Sequence, residues 1–300
     1  MLKKIDQVNL RKDIKDKLEY INMTMDRFLP RKDDYPKEIH KAIRHSLFAG
    51  GKRIRPYLTV LVYLLYKKDI SEEILKVAAS IEFLHTYTLI HDDLPEIDND
   101  DLRRGKKTCH VVFGSDIALL AGDALIIEAF NMVNNIAVSP AKRIKMIREM
   151  TILSGDKGLI AGQMQDIMCE KSKCTREVLE FIHLNKTAKL IQLCTRWGAF
   201  LADAPGSEVK KMDEFGKTLG LAFQIVDDIL DVEGSTATMG KTIGKDLNSQ
   251  KSTYPSVIGM KQSKELAGKL TTEALGMLAE YGTKAKVLTE LTQYLLERKS

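Results

Sequence analysis

Apolar residues recur every three or four positions along most of the chain, as expected for helices with one buried face. A typical stretch between residues 119 and 130 has apolar side chains at Leu119, Ala121, Ala124, Leu125, Ile127, Ala129 and Phe130. Alternating apolar and polar positions, which would indicate strands, are scarce, and so are two-residue hairpin turns. The pattern predicts an almost entirely α-helical fold.

Glycine and proline separate these stretches and mark the expected helix ends. The apolar run 57–66 would also fit a buried strand, but Pro56 before it favours a helix start. Two closing helices are predicted over 263–279 and 284–297, divided near Gly282. No linker, low-complexity tract or repeat interrupts residues 1–300, so we expect a single domain over the whole chain.

Composition limits the binding partners and the cellular location that we expect for this protein. The 300 residues carry a net charge of +5, and basic residues are mixed with acidic ones rather than gathered in one arm, so nucleic acid binding is not indicated. The four cysteines show neither zinc-site spacing nor the density of a disulfide scaffold. The N-terminus lacks the apolar core of a signal peptide, and the run 57–66 is about half the ~20 residues needed to cross a bilayer. We therefore expect a cytoplasmic protein without stable membrane insertion.

The first candidate site is an acidic cluster that follows an apolar helical segment. Six acids fall within ten positions, namely Asp92, Asp93, Glu96, Asp98, Asp100 and Asp101. Their repulsion is costly unless cations offset it, and carboxylate oxygens are preferred ligands of magnesium, although a solvated acidic loop is an open alternative. Pro95 disfavours helical geometry at Leu94, so the helix is predicted to end there and the loop to bring Asp98 back over Asp92.

The second acidic cluster comprises Asp227, Asp228 and Asp231, after the apolar segment 219–226. One helical turn separates Asp227 from Asp231, so both lie on one helix face, where they either grip a metal ion or face water. Two such clusters suit the ionisation of a diphosphate ester, because magnesium ions held between carboxylates stabilise the growing negative charge of the leaving group. In this interpretation the aspartates are ligands and not bases.

With these motifs the chain resembles the trans-prenyl diphosphate synthases, also called polyprenyl synthetases. Matching blocks run in order from Gly50-Gly51-Lys52-Arg53-Ile54-Arg55-Pro56 to Lys251-Ser252-Thr253-Tyr254-Pro255. The resemblance implies an all-α, single-domain helical bundle around a deep central cavity, usually in a homodimer. It also implies a Mg²⁺-dependent reaction in which isopentenyl diphosphate attacks the carbocation formed from an allylic diphosphate, such as dimethylallyl or geranyl diphosphate.

The resemblance further implies roles for individual residues. The implied direct metal ligands are Asp92, Asp98 and Asp227, with Asp93, Asp228 and Asp231 as neighbours. The residues implied to bind isopentenyl diphosphate are Lys52, Arg55, His85 and Arg104. Those implied on the allylic side, where ionisation occurs, are Arg103, Lys186, Thr187, Gln224 and Lys241, with Lys251 in a closing segment. Without the resemblance, His85 would be taken for a packing residue, and Arg103 and Arg104 for counterions of the preceding acids.

Product length is predicted from Tyr87. A helical rise of ~1.5 Å per residue places it roughly 7 Å before Asp92 along the helix axis, where its ring would form the floor of the cavity. Tyr87 and the four-residue spacer of the first motif resemble bacterial farnesyl diphosphate synthases, whereas Thr88 departs from the animal pattern. The predicted product is (2E,6E)-farnesyl diphosphate. A geranylgeranyl diphosphate synthase is the alternative, as is a Tyr87 that only fills the core.

Other classes of protein fit the sequence less well. A terpene cyclase should replace the second motif with a ligand set containing Ser or Thr and Glu, and a metal phosphohydrolase should place further histidines near acids. A non-catalytic partner subunit of a prenyl synthase is the remaining alternative, and the intact motifs argue against it. Glu96 has no role implied by the resemblance.

Overall fold

The computed structural model describes residues 7–170, 174–234 and 252–297. In the first of these ranges, eight α-helices are α1 Gln7–Phe28, α2 Lys37–Leu47, α3 Ile54–Tyr63, α4 Glu72–Asp92, α5 Cys109–Phe113, α6 Ser115–Asn134, α7 Pro140–Ser154 and α8 Leu159–Glu170. In the other two ranges, six more are α9 Arg176–Ile182, α10 Lys189–Leu201, α11 Gly206–Glu233, α12 Tyr254–Ile258, α13 Met260–Ala279 and α14 Lys286–Leu296.

Three short elements complete the described chain. A π-helix, His183–Ala188, continues α9 directly into α10, and a 3₁₀ turn, Gly282–Ala285, precedes α14. The antiparallel strands β1 Leu102–Arg103 and β2 Lys106–Lys107 form a hairpin. Arg104 and Gly105 at its tip both have left-handed φ angles, 55° and 74°, as a two-residue hairpin turn of this kind requires. The sequence pattern did not predict this hairpin.

The chain divides into two compact units. The larger unit comprises Met1–Asp13, Leu61–Asp69 and Glu149–Ser300, and the smaller unit comprises Ile14–Val60 and Ile70–Arg148. Three of the four divisions fall inside helices, namely α1, α3 and α7. The expectation of a single domain over residues 1–300 stays a prediction.

Helix α4 is the central element of the smaller unit and packs against α2 and α6. Ser71 caps its N-terminus by accepting a hydrogen bond from the backbone N–H of Ile74, and Glu72 and Glu73 complement the helix dipole in the first turn. Its buried side chains include Ile81, Phe83 and Leu84 and lie on all sides, as expected for a helix inside a core. The carboxyl end of α4 therefore has a rigid support.

Helix α11 is the longest helix of the larger unit, and it packs against α10 and α13. Trp197 on α10 and Phe215 on α11 are fully buried in this unit. Every third or fourth residue of α11 from Met212 to Ile229 is buried, so one face of the helix lies in the core up to the second acidic motif.

These helices confirm the predicted all-α class. The run 57–66 lies mostly in α3, which begins at Ile54, two residues before Pro56. The two closing helices are confirmed as α13 and α14, with the 3₁₀ turn at Gly282 between them. No helix within the described ranges is long and apolar enough to cross a membrane. The cytoplasmic location and the central cavity stay predictions.

Candidate active site

The first acidic loop folds back onto the end of α4. The helix ends at Asp92, two residues before Leu94. The backbone N–H of Asp98 donates to the carbonyl oxygen of Asp92 at 2.8 Å, and that of Asn99 donates to Leu94 at 3.0 Å. Asn99 has a left-handed φ of 50°, which turns the chain. The predicted return of Asp98 over Asp92 is confirmed, and both side chains are half-buried while Glu96 is exposed.

Arg103 on β1 lies against the same loop. Its Nε donates to Asp93 Oδ1 at 2.9 Å, its Nη2 donates to the same carboxylate, and Nη2 lies 3.4 Å from Asp100 Oδ2. Burial raises the pKa of Asp93, and the hydrogen bonds and charge of Arg103 oppose this effect. Arg103 therefore does act as a counterion of the acidic loop, which fixes its guanidinium beside Asp93.

A glycine turn after α2 approaches Arg104. Gly50 and Gly51 have φ angles of 108° and 119°, which side-chain-bearing residues rarely adopt. Arg104 Nη1 donates to the carbonyl oxygen of Gly50. A Cβ atom on Gly51 would lie 2.4 Å from Nη1 of Arg104, so the Arg104 side chain would have to move if position 51 carried one. The exposed Lys52 follows directly, and the turn thus brings two predicted phosphate-binding residues together.

A buried ion pair anchors the segment that carries these residues. Arg53 is 5% exposed and donates from Nη1 to Glu82 Oε1 of α4 at 2.6 Å, and Glu82 is 1% exposed. Arg53 also donates to the carbonyl oxygen of Leu47 at the end of α2. Because a buried charge is costly without a partner, this pair ties the glycine turn to α4. Sequence reasoning assigned no role to Arg53 or Glu82.

His85 and Arg55 form a second contact between α4 and the start of α3. Arg55 Nη1 lies 3.2 Å from His85 Nε2. Burial lowers the pKa of His85 well below its usual range, and the positive charges of Arg55, Arg104, Arg53 and Arg103 lower it further. The imidazole is therefore neutral. Its Nε2 accepts a hydrogen bond from Arg55, and Nδ1 carries the ring proton. Two of the residues predicted to bind isopentenyl diphosphate are thus in contact.

Tyr87 lies on α4, five residues before Asp92 at the start of the acidic loop. The ring is 5% exposed and makes an edge contact with His91, with ring centroids 5.8 Å apart. Burial raises the pKa of the Tyr87 hydroxyl to about 12, and the nearby charge of Asp92 adds to this effect. Thr88 donates from Oγ1 to the carbonyl oxygen of His85 at 2.8 Å. Both residues predicted to set product length are therefore fixed in place.

The second acidic motif lies near the end of α11 in the larger unit. Asp227 is half-buried and Asp231 is exposed, whereas Asp228 is 5% exposed. Asp228 accepts from Gln224 Nε2 at 3.1 Å and from the backbone N–H of Tyr254 at 2.9 Å. Burial raises the pKa of Asp228 to about 7, although these two hydrogen bonds lower it. The three aspartates of the motif thus occupy different environments.

His183, at the start of the π-helix, packs beside Asp228. Its Nε2 lies 3.6 Å from Asp228 Oδ2, and its ring stacks at a tilt on Tyr254 with centroids 5.1 Å apart. Burial lowers the pKa of His183 to about 4, so the ring is neutral at neutral pH. The ring therefore adds bulk and not positive charge to this side of the motif.

The π-helix carries Lys186 and Thr187. Lys186 Nζ forms an ion pair with Asp166 Oδ2 of α8 at 2.7 Å. Gly162, one turn before Asp166, touches the π-helix backbone so closely that a Cβ atom there would lie 2.3 Å from the nitrogen of Lys186. π-Helical turns inside α-helices are frequent at functional sites because they displace side chains from the regular helical pattern. Here the turn presents Lys186 to Asp166.

Thr187 and Gln224 form a hydrogen bond between the π-helix and α11. Thr187 Oγ1 donates to Gln224 Oε1 at 2.9 Å. One turn earlier on α11, a Cβ atom on Gly220 would lie 2.6 Å from Ala188 Cα, so the glycine allows the two helices to approach closely. The structure thus brings Thr187 and Gln224, both implied on the allylic side, into contact, and their role in catalysis stays a prediction.

Sequence reasoning missed Asp166, the π-helix and the contact between Tyr254 and Asp228. Asp166 gave no signal beyond being an isolated acid on a helix, because its partner Lys186 is 20 residues away. Lys241 and Lys251, predicted on the allylic side and in a closing segment, lie outside the described residues. The assigned roles of the other site residues stay predictions.

The first acidic loop has the chemistry of a magnesium site. Magnesium is commonly bound through one or two carboxylates together with substrate phosphates and waters, and it prefers oxygen ligands. Asp92 and Asp98, tethered by their backbone hydrogen bond and half-buried, offer such carboxylates. Within the described ranges, no three His, Cys, Asp or Glu side chains form a ready-made metal cluster.

Comparison with known proteins shows the family to which the chain belongs. Residues 36–293 match the Polyprenyl synthetase family model. The chain is 46% identical over 270 residues to geranylgeranyl pyrophosphate synthase 7, chloroplastic, of Arabidopsis thaliana, covering 88% of this chain and 78% of the relative. It is 41% identical over 268 residues to farnesyl diphosphate synthase of Bacillus subtilis, covering 88% and 90%. The crystal structure of an FPP/GFPP synthase from Zymomonas mobilis superposes with a TM-score of 0.86 at 32% identity, covering 96% of this chain and 99% of that chain. The chain therefore belongs to the polyprenyl synthetase family.

Proposed function

We propose that this prenyltransferase joins isopentenyl diphosphate head-to-tail to dimethylallyl and then geranyl diphosphate, and that it releases (2E,6E)-farnesyl diphosphate. The observation that carries the proposal is the hydrogen bond between Thr187 and Gln224, next to the ion pair of Lys186 with Asp166. Gln224 lies about one turn before the second acidic motif on α11. This group combines a cation for a diphosphate with uncharged oxygens that stabilise a carbocation.

The smaller unit supplies the groups that bind isopentenyl diphosphate. Lys52, Arg55 and Arg104 offer ammonium and guanidinium donors, and planar guanidinium groups suit diphosphate oxygens. Neutral His85 accepts from Arg55 and thereby orients that guanidinium. The buried Arg53–Glu82 pair holds the segment on which Lys52 and Arg55 lie.

On the allylic side, Arg103, Lys186 and Lys241 bind the diphosphate leaving group. Arg103 is held by Asp93 and Lys186 by Asp166, so both cations are oriented before substrate binds. Thr187 and Gln224 are hydrogen-bonded to each other. Their oxygen atoms would face the carbon from which the diphosphate departs. Bound cations and oriented dipoles stabilise separated charges best where water is excluded.

Magnesium is the cofactor that the acidic residues fit. Asp92, Asp98 and Asp227 would hold it, because carboxylate oxygens are its preferred ligands. When bound, it supplies positive charge that stabilises the departing diphosphate. Removing divalent ions with a chelator should abolish turnover, and added magnesium should restore it.

Farnesyl diphosphate is proposed over geranylgeranyl diphosphate because of Tyr87. Its buried ring lies on α4 before Asp92. In the proposed site this ring would stop further growth of the product. The names of the relatives include both farnesyl and geranylgeranyl synthases, so they support the prenyl synthase class and not one product length. Geranylgeranyl diphosphate remains the competing product.

A homodimer is proposed as the working assembly. Large apolar side chains are exposed on α6, with Leu120 at 55% and Ile127 at 67%, and they lie seven residues apart on one helix face. An exposed apolar helix face of this kind commonly marks a contact between protein chains. A second copy of the chain would cover it through a symmetric interface.

The purified protein should be incubated with magnesium, isopentenyl diphosphate and either dimethylallyl or geranyl diphosphate, and its products separated by mass. Fifteen-carbon product from both primers is the expected result. A twenty-carbon product would retain the reaction and contradict the Tyr87 floor. A folded protein that converts neither primer would instead favour a non-catalytic partner subunit.

A further inference from the structure

Both carboxylate oxygens of Asp228 accept hydrogen bonds within the larger unit. Oδ1 accepts from Gln224 Nε2 at 3.1 Å, and Oδ2 accepts from the backbone N–H of Tyr254 at 2.9 Å. Tyr254 is the first residue of α12, which a reciprocal capping box between Thr253 and Ser256 fixes at its N-terminus. The Tyr254 N–H is therefore a donor of fixed direction, and it holds the carboxylate in one orientation.

This carboxylate determines which end of the Gln224 amide faces it. In this arrangement both oxygens of the Asp228 carboxyl group act as acceptors, whereas the amide has a donating NH₂ group and an accepting oxygen. With Nε2 turned to Asp228, Oε1 is turned to Thr187, whose hydroxyl donates to it at 2.9 Å. The reversed amide would place two accepting oxygens against each other.

We infer that Asp228 is a positioning residue that sets the polarity of the hydrogen bonds running from Tyr254 through Gln224 to Thr187. Because the Thr187 hydroxyl donates its proton to Gln224, the lone pairs of Thr187 Oγ1 can face a positive charge. The negative electrostatic potential of such lone pairs stabilises a developing carbocation. The inference rests on the proposed function, in which Thr187 and Gln224 lie at the ionising carbon.

The substitution Asp228→Asn should reverse this polarity while keeping the size of the side chain. The Tyr254 N–H would select the new amide oxygen, so the new NH₂ group would face Gln224. Gln224 would then turn its own NH₂ group to Thr187 and leave the hydroxyl proton free to face the substrate. We expect kcat to fall about 10- to 100-fold. The KM for isopentenyl diphosphate and the half-saturating magnesium concentration should stay unchanged.

A compensating substitution separates this role from that of a direct metal ligand. Gln224→Glu alone places two carboxylates against each other and should also lower kcat. In the double variant Asp228→Asn with Gln224→Glu, the carboxylate at position 224 accepts both from the amide at position 228 and from Thr187. We expect kcat of the double variant to return to within about threefold of the wild type. The effects of the two substitutions on kcat would then be non-additive.

Steady-state kinetics and thermal unfolding of the four proteins test the inference. A double variant that melts like the wild type but is no faster than either single variant would overturn it. A higher half-saturating magnesium concentration for Asp228→Asn, without rescue, would also overturn it and indicate a metal ligand. An inert wild type would overturn the proposed function and this inference together, whereas an active wild type with an unrescued double variant overturns the inference alone.

Discussion

Buried acids hold the basic groups of this protein in place, and the clearest case is Glu82 with Arg53. Removing one partner of a buried ion pair leaves an uncompensated charge, so we expect Glu82→Ala to lower the free energy of unfolding by about 3–5 kcal/mol. The exposed pair of Glu38 with Lys41 is the matched control. Glu38→Ala should cost less than about 1 kcal/mol in the same urea titration. Similar losses for both variants would contradict the anchoring role of the buried pair.

Tyr87 is the residue whose size should set product length. Tyr87→Ala removes the ring that lies five residues before Asp92, and we expect the main product to shift from fifteen carbons to twenty or more. Mass analysis of the products from geranyl diphosphate measures the shift. Tyr87→Phe keeps the ring and should leave the product length unchanged. If Tyr87→Ala still makes only farnesyl diphosphate, Tyr87 is a core aromatic and not the floor.

Among the elements, the π-helix has the most direct consequence for chemistry. It continues α9 into α10 without a break, and its turn directs Lys186 to Asp166 and Thr187 to Gln224. A regular α-helix through the same residues would change the direction of the side chains that follow the turn, because the π-turn inserts one extra residue. The local geometry of α9 and α10 is thus part of the proposed catalytic group.

Gly162→Ala tests the dependence of this element on close packing. The new Cβ atom would lie 2.3 Å from the nitrogen of Lys186 and must displace the π-helix. We expect a loss of about 1–3 kcal/mol in stability and a fall in kcat. Gly268→Ala on α13 is the control, because no atom lies within 4 Å of its added Cβ. The control should be neutral or stabilising by up to about 1 kcal/mol. Equal behaviour of the two variants would refute the packing argument.

For the whole molecule, the division into two units follows from the path of the chain and not from a linker. The chain passes between units inside α1, α3 and α7, and only the division at Asp69 falls outside a helix. Helix interiors keep the apolar periodicity of their neighbours, so composition does not change at these points. This explains why the sequence showed no boundary.

The proposed homodimer can be tested through the exposed face of α6. Ile127→Lys places a charge at a side chain that is 67% exposed, and we expect it to shift the protein from dimer to monomer in light scattering after gel filtration. Met23→Lys adds the same charge at an α1 side chain that is 62% exposed and should leave the dimer intact. A wild-type monomer would contradict the homodimer itself. Dimers of all three proteins would assign the interface to another surface.

Most helices and the first acidic loop could be predicted because their causes are local in sequence. Helical periodicity predicted the all-α class, and Pro95 predicted the return of Asp98 over Asp92. The hairpin tip at Arg104 and Gly105 was missed, since arginine in a left-handed conformation has no signal in the pattern. The π-helix was missed as well, because residues 183–188 contain no glycine or proline that would signal an irregular turn.

The sequence reveals where carboxylates and cations are concentrated, because clustering along the chain is visible without a fold. The contacts that these carboxylates make across the chain depend on the tertiary fold. Lys186 meets Asp166 across 20 residues, Tyr254 meets Asp228 across 26, and Arg53 meets Glu82 across 29. Each contact joins two segments that are distant in the sequence, and their packing is decided by the burial of whole apolar faces rather than by the spacing of the charged residues.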